Sequence, residues 1–131
     1  MTIRFHVNVA KPRAGEVFAE LSARAVACGL EVATDGPTDA VVVLGGDGTF
    51  LRAAHEYPDM PLLGFNLGGL GYLASVEERD FEKAMAALAS GKYRVSERCM
   101  IEVNGKFAAL NDIVITREMS GLFFCTASYT A

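Results

Sequence analysis

Apolar and polar residues alternate at the start of the chain: Ile3, Phe5, Val7 and Val9 are separated by Arg4, His6 and Asn8. A period of two predicts a strand with one buried face, with His6 pointing outward. The period then lengthens. Over Ala14–Cys28, the residues Val17, Phe18, Leu21, Ala25 and Cys28 fall on one side of a helix. Gly29 stands where a helix-terminating glycine belongs. Leu30–Ala33 reads as a short second strand, and Ala40–Leu44 (AVVVL) as a central parallel strand covered on both faces. Thr49–Tyr57 reads as a helix ended by Pro58, and Leu62–Phe65 as another buried strand. Glu77–Ser90 is expected to be a helix with Phe81, Ala84, Met85 and Leu88 facing the core and Gly91 as its stop. The charges over Glu77–Lys83 then form a solvated face, with Glu78 and Glu82 a like-charge pair at i,i+4.

After Gly91 the pattern becomes antiparallel. Cys99–Val103 and Lys106–Leu110 flank Asn104-Gly105, which predicts a hairpin closed by a two-residue type I′ turn. Ile113–Thr116 and Leu122–Ser128 read as further strands. The fold class expected is α/β: an open, mainly parallel sheet with covering helices, followed by the start of an antiparallel β domain. The boundary falls within Lys92–Arg98, dividing the chain into residues 1–95 and 96–131.

Composition narrows the picture. The 131 residues are 51% hydrophobic and 21% charged, enough apolar material for one ordinary core and too much for a disordered chain. With 12 basic and 16 acidic residues the net charge is −4, which argues against a general nucleic-acid binder. No apolar run reaches the roughly 18 to 20 residues that span a bilayer. Three widely spaced cysteines without a C-x-x-C predict no zinc site and no disulfide framework, consistent with a reducing cytoplasm. Cys28 and Cys99 read as small core hydrophobes, and Met85 and Met100 as core filler.

The candidate chemistry follows the central strand. Gly45, Gly46, Asp47, Gly48 and Thr49 stand at its carboxyl end, where open α/β sheets bind ligands. Glycines let a ligand approach the main chain, and the N–H groups opening the next helix attract phosphate. Asp47 opposes that attraction. Two like charges about 4 Å apart repel by roughly 4 kcal/mol at an effective dielectric near 20. The carboxylate therefore needs a metal ion, or it faces a neutral group such as a sugar hydroxyl and can act as a general base. This favours phosphoryl transfer to a hydroxyl, with a divalent cation screening the donor phosphates. The alternative is a tight turn with Asp47 as a local cap. The loop is neither a Walker A sequence nor a G-x-G-x-x-G fingerprint.

Gly45–Thr49, GGDGT, resembles the signature shared by NAD kinases, phosphofructokinases and diacylglycerol or sphingosine kinases. Two later segments separate these. Gly64–Leu73, GFNLGGLGYL, is similar to the N-x-G-x-L-G-F-L loop of NAD kinases, and Leu110–Ile115, LNDIVI, to their N-E motif. The Pro-x-Gly-Thr-x-Asn-Asp segment of the lipid kinases has no counterpart here.

This resemblance implies transfer of a phosphoryl group from ATP or polyphosphate, with Mg²⁺ or another divalent ion, to the 2′-hydroxyl of the adenosine ribose of NAD. By motif, Asp47 matches the family's proposed base and ribose contact, Gly48 lies against the dinucleotide, and Gly45, Gly46 and Thr49 complete the phosphate loop. Arg52 matches a basic substrate-reaching position a helical turn on; its other reading is a solvated side chain or a partner for Asp47. Asn66 and the glycines after it would form a second wall. Tyr72 matches the aromatic residue beside the adenine, and otherwise reads as half-buried core. Asn111 and Asp112 match the pair that contacts ribose and base. Asp112 replaces the usual Glu, shortening its reach by about 1.5 Å, and otherwise reads as a turn residue. His55, near Arg52 on the same helix, reads as structural.

The family also implies a homo-oligomer, dimer or tetramer, while the charge and the apolar runs predict no nucleic-acid or membrane partner and the cysteines a cytoplasmic protein. Its further Gly-Asp-Gly and T-P-T-G-S-T-A-Y segments do not occur in this sequence, so the chain resembles the N-terminal portion. Two other readings stand beside a kinase of this type. One is a catalytically silent nucleotide-binding module. The other is a GGDGT kinase acting on a lipid or sugar hydroxyl, against which the second loop speaks.

Overall fold

The computed structural model describes residues 1–10, 14–67, 71–74, 76–103, 105 and 107–110. The chain divides into two units, Met1–Val95 and Ser96–Ala131. The first carries β1 (Thr2–Val7), α1 (Ala14–Ala27), β2 (Glu31–Val32), β3 (Ala40–Leu44), α2 (Asp47–Glu56), β4 (Leu62–Asn66), β5 (Val76–Glu77) and α3 (Phe81–Ala89). Its five strands lie in the order β2-β1-β3-β4-β5, and every pairing is parallel. This is the open α/β sheet expected from the alternation of strand and helix.

β3 is the centre of that sheet, and all five of its residues are buried. Its side chains alternate between two cores. Ala40, Val42 and Leu44 join Ile3, Leu21, Ala25, Phe65, Phe81 and Met85 under α1 and α3. Val41 and Val43 pack with Ala53 under α2, with Phe50, Tyr57 and Leu62 at the margin. A β-branched run with no polar position suits a strand with no wet face. The Phe65 and Phe81 rings meet at 4.9 Å between centroids. Helix ends are set locally. Gly29 at φ 88° follows α1, with Gly29 N–H donating to Val26 C=O and Leu30 N–H to Ala25 C=O. Gly91 at φ 69° ends α3 in the same way, through Gly91 to Leu88 and Lys92 to Ala87. Both are Schellman closures, which need the left-handed residue that glycine supplies.

Several expectations are corrected. The segment after β4 does not enter a helix at Glu77: that residue pairs with Asn66 in β5, Glu78–Asp80 form a 3₁₀ turn, and α3 begins only at Phe81. The three charged residues of that turn have no apolar face to bury, whereas Phe81 does. Glu82 is not simply solvated. Its Oε1 takes the Arg24 Nε at 2.6 Å, tying α3 to α1, while the guanidinium stands 5.0 Å from the Phe81 ring centre. His6 is not outward. Its side chain is 12% exposed, 3.6 Å from Glu56 and edge-on to Tyr57, because α2 and the residue following it cover the second face of the sheet. Cys99 is exposed rather than core, since the strand it was expected to open begins at Ile101. Cys28 and Met100 are only partly buried, whereas Met85 is fully so.

In the second unit β6 (Ile101–Val103) and β7 (Phe107–Ala109) pair antiparallel, Val103 opposite Phe107. Three residues therefore connect the paired ends, not two, and Gly105 has φ 63°. Three-residue hairpin loops use one left-handed position, which the glycine fills. The strands expected over Ile113–Thr116 and Leu122–Ser128 lie outside the described residues.

Phe81 joins α3 to the buried sheet face and opens its helix. Phe81→Ala is expected to lower unfolding free energy by about 3–5 kcal/mol, read as a shift of the urea midpoint with an unchanged slope.

Candidate functional site

The strand order creates a switch point. From β1 the chain crosses through α1 to β2 on one side, and from β3 it crosses through α2 to β4 on the other. Loops leaving the carboxyl ends of β1 and β3 therefore part, and ligands of open α/β sheets bind in the crevice this leaves. The loop after β3 is Gly45-Gly46, and α2 starts at once with Asp47.

Sterics explain the first of the glycines there. A Cβ on Gly45 would stand 2.5 Å from Thr49 Oγ1, so the buried Thr49 fills the space a side chain would need. Gly45 N–H donates to Phe65 C=O at 3.0 Å, binding the loop to β4. Gly46 is the N-cap of α2 and offers no side-chain acceptor to the first-turn N–H groups. The Thr49 N–H turns back to Gly46 C=O at 3.1 Å, and the helix dipole makes this end of α2 an environment that favours an anion. Gly48 is exposed there.

Asp47 is compensated in a way its own segment does not reveal. Its carboxylate does not cap its own helix. Oδ2 accepts the Tyr72 N–H at 2.9 Å, and Oδ1 accepts those of Leu73 at 2.9 Å and Ala74 at 3.2 Å. Successive backbone amides converging on one anion form a well-matched concavity. The amide of Tyr72, then those of Leu73 and Ala74, hold the Asp47 carboxyl below its ordinary value, outweighing the opposite push of burial. The counter-charge thus comes from main-chain amides of the second glycine loop rather than from a local turn.

Gly71 permits the approach. A Cβ there would lie 2.7 Å from Asp47 Oδ1 and 3.4 Å from Asn66 Nδ2. The signal that could have found this partner was the glycine before Tyr72, although sequence reasoning read the stretch only as a wall. Tyr72 itself is 97% exposed, which overturns its reading as half-buried core and leaves its ring available for stacking. Arg52 is exposed on α2, and the Asp47 oxygens are taken up by amides rather than by its guanidinium. His55 is exposed on the same helix. Asn111 and Asp112 lie outside the described residues. Among the described residues no group of three or more His, Cys, Asp or Glu side chains could hold a metal ion, and no helix is long and apolar enough to cross a membrane.

Known proteins place this arrangement. The ATP-NAD kinase N-terminal domain model matches residues 5–93, which include the first loop, Asp47 and the amides that hold it. The chain belongs to the NAD kinase family. It is 43% identical over 99 residues to an NAD kinase of Clostridium botulinum (strain ATCC 19397 / Type A), covering 68% of this chain and 35% of that protein. It is 47% identical over 90 residues to an NAD kinase of Acetivibrio thermocellus, covering 61% and 31%. The chain thus spans about a third of the length of these curated relatives. Among solved structures, yeast NADH kinase complexed with NADH aligns with a TM-score of 0.61 over 86% of this chain and 47% of that one. At 19% identity this likeness concerns the fold.

The Asp47 carboxyl titrates lower folded than unfolded. Its stabilising contribution is therefore complete above the ordinary value of 3.8 and is lost as pH falls through the lower folded value. Glu82, lowered first by its hydrogen bond to Arg24, acts in the same direction. Asp47→Asn is expected to flatten, not abolish, the acid limb of a plot of urea midpoint against pH below about pH 4. An acid limb as steep as that of the wild type would show that the amide bonds to Asp47 add nothing.

Proposed function

We propose that this chain provides the N-terminal α/β portion of an NAD kinase, which transfers a phosphoryl group from ATP or polyphosphate to the 2′-hydroxyl of the adenosine ribose of NAD, giving NADP. The observation that carries this reading is a carboxylate at the carboxyl edge of the central strand, with an exposed aromatic residue on the loop that holds it. Membership of the family supports the reaction class.

In the reaction the ribose oxygen forms a bond to the transferred phosphorus while the bond from that phosphorus to the donor's bridging oxygen breaks. Asp47 faces the ribose hydroxyl, orients it and receives its proton. The N–H groups opening α2, with Gly45, Gly46, Gly48 and Thr49, line the phosphates. Positioning and charge stabilisation carry most of such a transfer. Arg52 extends toward the substrate, Tyr72 stacks beside the adenine, and Asn111 with Asp112 contact ribose and base. A divalent ion, Mg²⁺ in the simplest case, comes with the donor. Asp47 does not fit as its ligand in this arrangement, since its oxygens already hold three amides. The same reading includes a cytoplasmic homo-oligomer, dimer or tetramer.

The test is NADP formation by the purified full-length protein from NAD, ATP and Mg²⁺, followed by an NADP-specific dehydrogenase. Asp47→Asn is expected to lower kcat by about 10²- to 10⁴-fold, the usual span for a proton-transferring group. Wild-type turnover retained in that variant would remove Asp47 as the base. Absence of NADP from the wild type with either donor would remove the reaction.

A further inference from the structure

Three consecutive amides are a large commitment for a side chain whose only task is to accept a proton. A carboxylate has about four acceptor positions. Three are taken by Tyr72, Leu73 and Ala74, leaving at most about one for a substrate hydroxyl. The turn these amides belong to carries Tyr72, whose side chain is 97% exposed and so receives almost no packing from the rest of the protein. Where that ring stands is decided by its backbone, and its backbone is tied by its own N–H to Asp47.

We propose that Asp47 is a positioning residue for the second loop: its carboxylate fastens the Gly71–Ala74 turn to the start of α2 and thereby sets the place of the Tyr72 ring in the cleft. Gly71 is the other half of the fastener. It is the residue whose missing side chain lets Oδ1 reach the amides, since a Cβ would stand 2.7 Å from that oxygen. The rigid end of the fastener is sound. Asp47 is the first residue of α2, whose Ala53 and Ala54 are buried, and the preceding Gly45 is bonded to β4. The turn is thus held by an element anchored in the core, through a side chain with few rotatable bonds. This inference concerns the same site as the NAD kinase reading, and only its kinetic consequence rests on that reading.

Two variants separate fastening from proton transfer. Asp47→Asn removes the charge and places an amide nitrogen against N–H groups. Gly71→Ala keeps the carboxylate and pushes it from its partners. Amide hydrogen exchange on the nucleotide-free, full-length protein at neutral pH is expected to quicken by about tenfold to a hundredfold at Tyr72, Leu73 and Ala74 in both variants, the span expected for lost charge-assisted hydrogen bonds. Exchange over Val41–Leu44 should stay unchanged, which reports an intact fold. In the kinetic arm Gly71→Ala is expected to raise KM for NAD severalfold with a smaller change in kcat. Tyr72→Ala should raise KM in the wild type and add little to Gly71→Ala, because the ring is already misplaced there.

Unchanged exchange at residues 72–74 in a folded Gly71→Ala protein would overturn the fastener, as would fully additive effects of the Gly71 and Tyr72 substitutions on KM. Faster exchange in the variants, with a wild type that makes no NADP, would uphold the fastener and refute the NAD kinase reading. Unchanged exchange in a protein that makes NADP would do the reverse.

Discussion

The contact on which the described site depends is the one between the Asp47 carboxylate and the amides of Tyr72, Leu73 and Ala74. It joins two loops that are 25 residues apart in sequence and leave different strands, β3 and β4. Without it, the carboxylate at the positive end of α2 would lack these three donors. With it, the charge is absorbed by three dipoles that the fold has already oriented. Preorganised dipoles of this kind cost nothing to reorganise when a ligand arrives, and they depress the basicity of the group they hold.

The rest of the first unit can be understood as what brings those loops together. Parallel pairing of β3 with β4 places Leu44 beside Phe65, so that the two loops leave the sheet side by side. Both faces must then be dry, and the alternating residues of AVVVL supply one core to α1 and α3 and another to α2. Close approach recurs where the layers meet. A Cβ on Gly64 would stand 2.7 Å from the Phe50 ring and 2.8 Å from Ala74 Cα, so β4 can receive both α2 and the end of the fastened turn only with glycine at that point. Gly45 and Gly64 thus serve packing.

A family shared over the N-terminal domain is compatible with a site that needs more than that domain. The matched relatives are about twice as long as this chain, while the matched residues include the carboxylate, the first loop and the exposed aromatic residue. In the proposed function this unit contributes the phosphate-facing floor and a stacking residue. In the proposed function the wall against the ribose and base includes Asn111 and Asp112.

Local physical rules were sufficient for much of this protein to be read from its residues alone. Apolar periodicity identified β1 and α1, short apolar runs bounded by turn residues identified β3 and β4, and Pro58 marked the end of α2, because a strand or helix must bury its apolar side chains whatever its neighbours are. Gly29 and Gly91 identified two helix ends, because few other residues take a left-handed backbone at low cost. The three motif segments pointed to the family. Tertiary structure decided what depends on residues distant in sequence. Strand order put β3 between β1 and β4, a second covering helix turned His6 inward, and pairing with Asn66 drew Glu77 into a strand. It also decided the partners of Asp47. Those are main-chain N–H groups, present at every residue but proline, so their identity leaves no mark in the amino-acid types and emerges only when the chain has folded to bring them within reach.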